Sequence, residues 1–130
     1  MATELSEESL LSGSLDQFIF DNFEGATEQL NSIIKKFENS PNKYEYILYK
    51  GVCLYKLGKF EEALKELDNL EKESNYKKDY TFFLTKGKIL FYLCKYDESI
   101  KVLNEGKNID KEHSNLFDTW IKMAEEEKKD

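Results

Sequence analysis

Apolar residues return every three or four positions along this chain, in stretches separated by short polar joins. That is the spacing of one helix face and not the alternation of a strand. From Ser6, the positions Leu10, Leu11, Leu15, Phe18 and Ile19 mark a first helix, and residues 1–5 before it are expected to fray. Asp21–Gly25 reads as a turn. A second stripe of Ala26, Leu30, Ile33, Ile34 and Phe37 stops at Asn39-Ser40-Pro41, because proline disfavours helix in the residue before it. Ile47, Gly51, Leu54 and Tyr55 predict a third helix. Phe60, Ala63, Leu64, Leu67 and Leu70 predict a fourth, with Gly58 at the turn between them. In the next pair, Phe83, Gly87 and Leu90 face Tyr96, Ser99, Ile100 and Leu103. Cys94 occupies the turn position held by Gly58 in the preceding pair, so slight strain is expected there. Ser114 is placed as the N-cap of a seventh helix whose apolar face is Leu116, Phe117, Trp120, Ile121 and Ala124. From Glu125 the chain is expected to run into solvent.

Two of these pairs are nearly the same unit. GVCLYKLGKFEEA (Gly51–Ala63) returns as GKILFYLCKYDES (Gly87–Ser99), with glycine, leucine, aromatic and small residue each 36 positions on. Gly51 costs about 1 kcal/mol of helix propensity against alanine, and close approach of the paired helix is the expected compensation. A helix–turn–helix unit of this composition resembles the tetratricopeptide repeat (TPR), whose period is about 34 residues. The extra length fits in the polar join Ser74–Asp79. The expected fold is therefore an all-α TPR solenoid forming one domain over residues 1–130. Its repeats span about 6–41 (a degenerate first unit), 44–73 and 80–110, and a helix at about 114–127 caps the open end.

Composition narrows the function classes. The chain has 130 residues, 40% hydrophobic and 35% charged, and a net charge of −7 from 19 basic and 26 acidic groups. That balance argues against nucleic acid, whose phosphates need clustered cations. The first Lys is Lys35, so an early positive stretch of the kind a signal or transit peptide needs is missing. Apolar runs such as Ile89–Cys94 are too short to span a bilayer, so a membrane role is not expected. A soluble, cytoplasmic or nuclear protein is the expectation.

Candidate chemistry is sparse. With His113 the only histidine, neither a multi-histidine metal site nor a Ser/His triad can be assembled. Cys53 reads as a small core residue and Cys94 as an exposed turn residue with no cation fixed nearby. The runs Glu4–Glu8 and Glu125–Glu127 lack the spacing and glycine of a calcium loop and read as solvated helix faces. No phosphate-binding glycine loop is present, since Gly87-Lys88 falls inside a helix pattern. No enzymatic activity and no cofactor are expected.

The informative set lies on the first helix of each pair, which in such stacks lines a concave groove. Counting from each repeat start places Glu45, Leu48, Tyr49, Val52, Tyr55 and Lys56 there, followed by Thr81, Leu84, Thr85, Lys88, Phe91 and Tyr92. Leu11, Leu15, Phe18 and Ile19 join them from the first repeat. Aromatic anchors of this kind suit a protein partner. Burial of some of them, Phe18 and Tyr55 above all, is the alternative. Co-chaperones that clamp an acidic chaperone tail use two Lys, two Asn and an Arg in this groove. The matching positions here are Leu11, Leu15, Tyr49, Thr81 and Thr85, which carry no charge, so that ligand is not expected.

The third repeat and cap resemble the TPR domain of the suppressor of G-two allele of Skp (Sgt) co-chaperone family. The carrying residues are Lys86-Gly87, Tyr96, Glu105-Gly106, Asp110, Phe117 and Trp120-Ile121-Lys122, together with Asp16–Thr27 (DQFIFDNFEGAT). The resemblance implies a non-enzymatic adaptor that docks the Skp adaptor of SCF-type ubiquitin ligases. It also implies that the ninety-kilodalton heat-shock chaperone is met only through other domains. Some members self-associate, so a homodimerisation scaffold is the alternative.

Overall fold

The computed structural model describes residues 6–129, so the expected fraying of residues 1–5 lies outside it. Among the described residues there are seven helices and no strand: α1 (Glu7–Ile19), α2 (Phe23–Lys36), α3 (Lys43–Lys56), α4 (Phe60–Glu71), α5 (Tyr80–Tyr92), α6 (Tyr96–Ile109) and α7 (Ser114–Lys128). Each helix packs on the next in sequence. The first helices of successive pairs also meet, α3 against α5 and α5 against α7. The result is a TPR-type stack, with α7 standing where a fourth pair would begin.

The three turns within pairs share one backbone solution. Asp21, Gly58 and Cys94 all take positive φ (60°, 77° and 62°). In each case the following N–H reaches back five residues, from Asn22 to Gln17 O, Lys59 to Leu54 O and Lys95 to Leu90 O. The first repeat, weak in sequence, is thus regular in its turn. It does correct the expected Asp21–Gly25 turn. Helix α2 begins at Phe23, because the Asn22 side chain accepts the Gly25 N–H and caps the helix there. Cys94 carries the strain its position predicted.

Small residues set the distance within pairs. Ser14, Gly51 and Gly87 are buried at matching positions. Gly51 faces Leu67, and Gly87 faces Leu103 even more closely. The Ser99 hydroxyl, fully buried, donates to Gly87 O at 2.7 Å. Gly106 admits the Phe117 ring and Phe83.

Two further expectations are corrected at the C-terminal end. Ser114 is the first helical residue of α7 and not its cap. His113 stands at the cap position without a capping side chain. Asp110 instead organises this join, accepting the His113 N–H and lying 2.7 Å from its Nδ1. The cap seam is Phe117, Ile121 and Ala124, while Leu116 is exposed and Trp120 half-buried. The helix runs through the acidic residues to Lys128, and residues 125–129 are all exposed.

The buried core divides in two. One part joins α3 to α7 through Leu48, Leu54, Leu67, Phe82, Phe83, Leu103 and Phe117. The other holds α1 and α2 on α3 through Ala26, Leu30, Ile33, Tyr46 and Cys53. Lys86 links α5 to α4 by ion pairs to Asp68 (3.2 Å) and Glu71 (2.7 Å).

Candidate docking face

The α1–α3 relationship differs from the later ones and opens a hollow. Helix α1 rests on α2, and on its α3 side an open cleft of about 410 Å³ remains. Leu11, Leu15 and Phe18 form one wall, Tyr49 and Val52 the other. Tyr80 and Thr81 close one end, and Ala26, Leu30 and Cys53 make the floor. Nearly all of this lining is apolar, and Tyr49 supplies an exposed phenol at its rim. Burial, helped by the Glu45 and Asp79 carboxylates, pushes that phenol's pKa up, so it stays a neutral hydrogen-bond donor. The Cys53 thiol is likewise pushed up by burial and remains protonated, hence a poor nucleophile.

The other half of the face is a ladder of rings. Phe60 and Tyr92 stack at 5.0 Å with planes 4° apart, and Tyr55 leans on both. Phe91 meets Trp120 edge-on at 5.5 Å and Tyr96 at 5.6 Å. The Lys88 ammonium lies 5.9 Å from the Tyr55 ring and 5.3 Å from that of Trp120. Burial against Tyr92 holds the Tyr55 phenol at about 12.

The predicted groove residues therefore separate into three groups. Leu15, Phe18, Tyr49 and Val52 line the cleft. Tyr55, Lys88, Phe91 and Tyr92 form the ring ladder. Leu48 and Thr85 do not belong to the face: both are buried, Leu48 within the α3–α7 core. Trp120 and Phe60 belong to the ladder and were not expected there. Nothing local in the sequence marks Trp120, which reaches the ladder because α7 packs beside α5 as a first helix would.

At the α6–α7 join, Asp110, Glu112 and His113 bring ligand-type atoms within 4.8 Å of one another. Asp110 and His113 already serve as connectors there, His113 stacking on Tyr80 at 3.9 Å. A larger hollow of about 550 Å³ lies away from the first helices, lined by α4 residues with Leu93 and Lys95. It is shallow and rimmed by charged side chains such as Glu61, Lys65, Asp68 and Lys72.

A model of the family described as "Anaphase-promoting complex, cyclosome, subunit 3" matches residues 21–106. The chain belongs to that family. The matched span runs from the α1–α2 turn to Gly106 in α6, so it covers the repeated units and leaves out α1 and α7. A search of curated proteins returned no match. Among solved structures, the chain is similar to the "TPR2B-domain:pHsp70-complex of yeast Sti1". The TM-score is 0.80 at 16% identity, over 93% of this chain and 97% of that one. It is also similar to a tetratricopeptide repeat protein from Parabacteroides merdae ATCC 43184, with a TM-score of 0.73 at 21% identity. That match covers 85% of this chain and 42% of the other. At these identities the likeness establishes the fold alone, a stack of tetratricopeptide repeats.

Proposed function

We propose that this chain is a protein-docking adaptor whose first-helix face receives the Skp adaptor of SCF-type ubiquitin ligases, as the Sgt resemblance implies. One observation carries the docking reading. Where a regular stack would bring α1 against α3, an apolar cleft stays open, with Leu15 and Tyr49 exposed on its two walls. A soluble chain leaves such a surface uncovered at a cost unless a partner covers it. An acidic chaperone tail is the weaker reading, although one similar fold is a TPR2B complex with pHsp70. Leu11, Leu15, Tyr49 and Thr81 all line the cleft, so a carboxylate there would meet no cation.

Calorimetric titration of the chain with the Skp adaptor of the same organism tests the proposal. Micromolar or tighter binding that is lost on Tyr49→Ala supports it, and no binding by the unaltered chain overturns the partner.

Self-association is the second reading, favoured by Ile19 and Phe20, which are 70% and 81% exposed at the end of α1. Sedimentation over a range of concentrations decides it, and a strict monomer would remove it.

A further inference from the structure

Two lysines on α5 have opposite fates. Lys86 and Lys88 are both half-buried, yet Lys86 is held by the carboxylates of Asp68 and Glu71. Lys88 makes no ion pair with any described residue. Its neighbours are the faces of Tyr55 on α3 and Trp120 on α7, and the charge of Lys56 reaches it as well. Accordingly the Lys86 pKa is raised by its partners. That of Lys88 is lowered by burial and then by repulsion from Lys56. In a chain with 26 acidic and 19 basic groups, such a local excess of positive charge is out of keeping with the whole.

The register sharpens the point. Taking the in-pair turns as reference, Lys88 occupies the place that Val52 and Leu15 hold in the two preceding repeats, where both line the apolar cleft. The docking face therefore passes from an apolar end to a cationic, ring-walled end. Ring faces attract an ammonium but do not neutralise it, so the charge is left available in a partly dehydrated site.

We propose that Lys88, held between Tyr55 and Trp120, is a subsite for one carboxylate, an Asp or Glu side chain of the docked protein. This rests on reading the first-helix face as the docking face. A carboxylate is favoured over a phosphate by the chemistry present. The chain contains no arginine to grip a phosphate with paired donors, and the apolar rings penalise dehydration of a doubly charged group.

Two arms test the subsite. In the first, the Skp adaptor is titrated against the unaltered chain, Lys88→Arg, Lys88→Met and Lys88→Glu, with thermal melts to confirm folding. Retention by the arginine variant is expected. The glutamate variant should lose about ten-fold or more, with a flatter salt dependence. The methionine variant keeps the stem on the rings without the charge and should also weaken binding. Equal affinity in all four overturns the subsite. The second arm needs no adaptor: the Lys88 Cε resonance is followed while the peptides acetyl-Phe-Glu-Leu-amide and acetyl-Phe-Gln-Leu-amide are added at millimolar concentration. A shift with the glutamate peptide alone supports the proposal; equal responses, or none, overturn it. If the unaltered chain fails to bind the adaptor, the named partner is wrong, and the peptide arm alone decides the subsite.

Discussion

Gly87 lies so close to Leu103 that a β-carbon built on it would stand 2.3 Å from Leu103 Cδ2 and 2.5 Å from Cγ. The same substitution at Gly51 would place its β-carbon 3.0 Å from Leu67 Cδ2. Both leucines are fully buried, so neither can swing into solvent. Gly87→Ala should therefore destabilise by about 1–3 kcal/mol through overpacking. At Gly51 a helix-propensity gain of about 1 kcal/mol offsets a milder contact, so Gly51→Ala should lie near neutral. Urea unfolding of the two variants measures the difference.

Cys94 sits at φ 62°, in the conformation that Gly58 adopts at φ 77°. A left-handed residue with a side chain costs roughly 1–2 kcal/mol, and glycine gives back part of that through unfolded-state entropy. Cys94→Gly should raise the melting temperature by a few degrees. Gly58→Ala should lower it, although open space surrounds that position.

Phe117 is fully buried against Gly106, whereas Trp120 is half-exposed among the concave rings. Phe117→Ala should cost about 3–5 kcal/mol, and Trp120→Ala roughly half as much. The tryptophan variant alone should also alter partner binding, since its ring walls the Lys88 site. Denaturant melts paired with titration separate the two effects.

Leu48 and Tyr49 are chain neighbours, 4% and 36% exposed. Leu48→Ala should lose about 2–5 kcal/mol of stability. Tyr49→Ala should leave the fold intact within about 1 kcal/mol while weakening the partner about ten-fold or more, as loss of an aromatic anchor covered by the partner does. Circular dichroism melts and calorimetric titration of the same samples check this pair.

The Glu7 carboxylate accepts hydrogen bonds from the Ser40 and Tyr46 hydroxyls, tying α1 to the α2–α3 join and to α3. Those two bonds hold its pKa below the ordinary 4.5. Stability from this contact is thus complete above that value and is lost as pH falls through the depressed one. The protection factors of the α1 amides, taken against their intrinsic exchange rates, should fall as pH drops below 4.5, and Glu7→Gln should flatten that dependence. Hydrogen exchange between pH 5 and pH 3 measures both.

Much of the stack was legible because its apolar positions recur at helical spacing and its small residues recur at one register. The first repeat was recognisable from Ala26 and Leu30, and the backbone shows it to be regular because Asp21 adopts the same left-handed turn as Gly58. Caps were read less well. Asn22 starts α2 early and Asp110 organises the start of α7, and both depend on where one side-chain oxygen points. The face was half legible: Tyr49 and Val52 follow from the repeat count, but Leu48 and Thr85 do not reveal their burial.

The order of amino acids by itself determined seven helices, their pairing and the closeness of each pair, since all three follow from contacts between residues less than one repeat apart. Only the tertiary structure decided which first-helix residues stay uncovered. It leaves a cleft open between α1 and α3, lays Trp120 beside Phe91, and gives Lys86 two carboxylates while Lys88 receives none. Those outcomes depend on how helices distant along the chain lie against each other, a sum of many small contacts that no local pattern encodes.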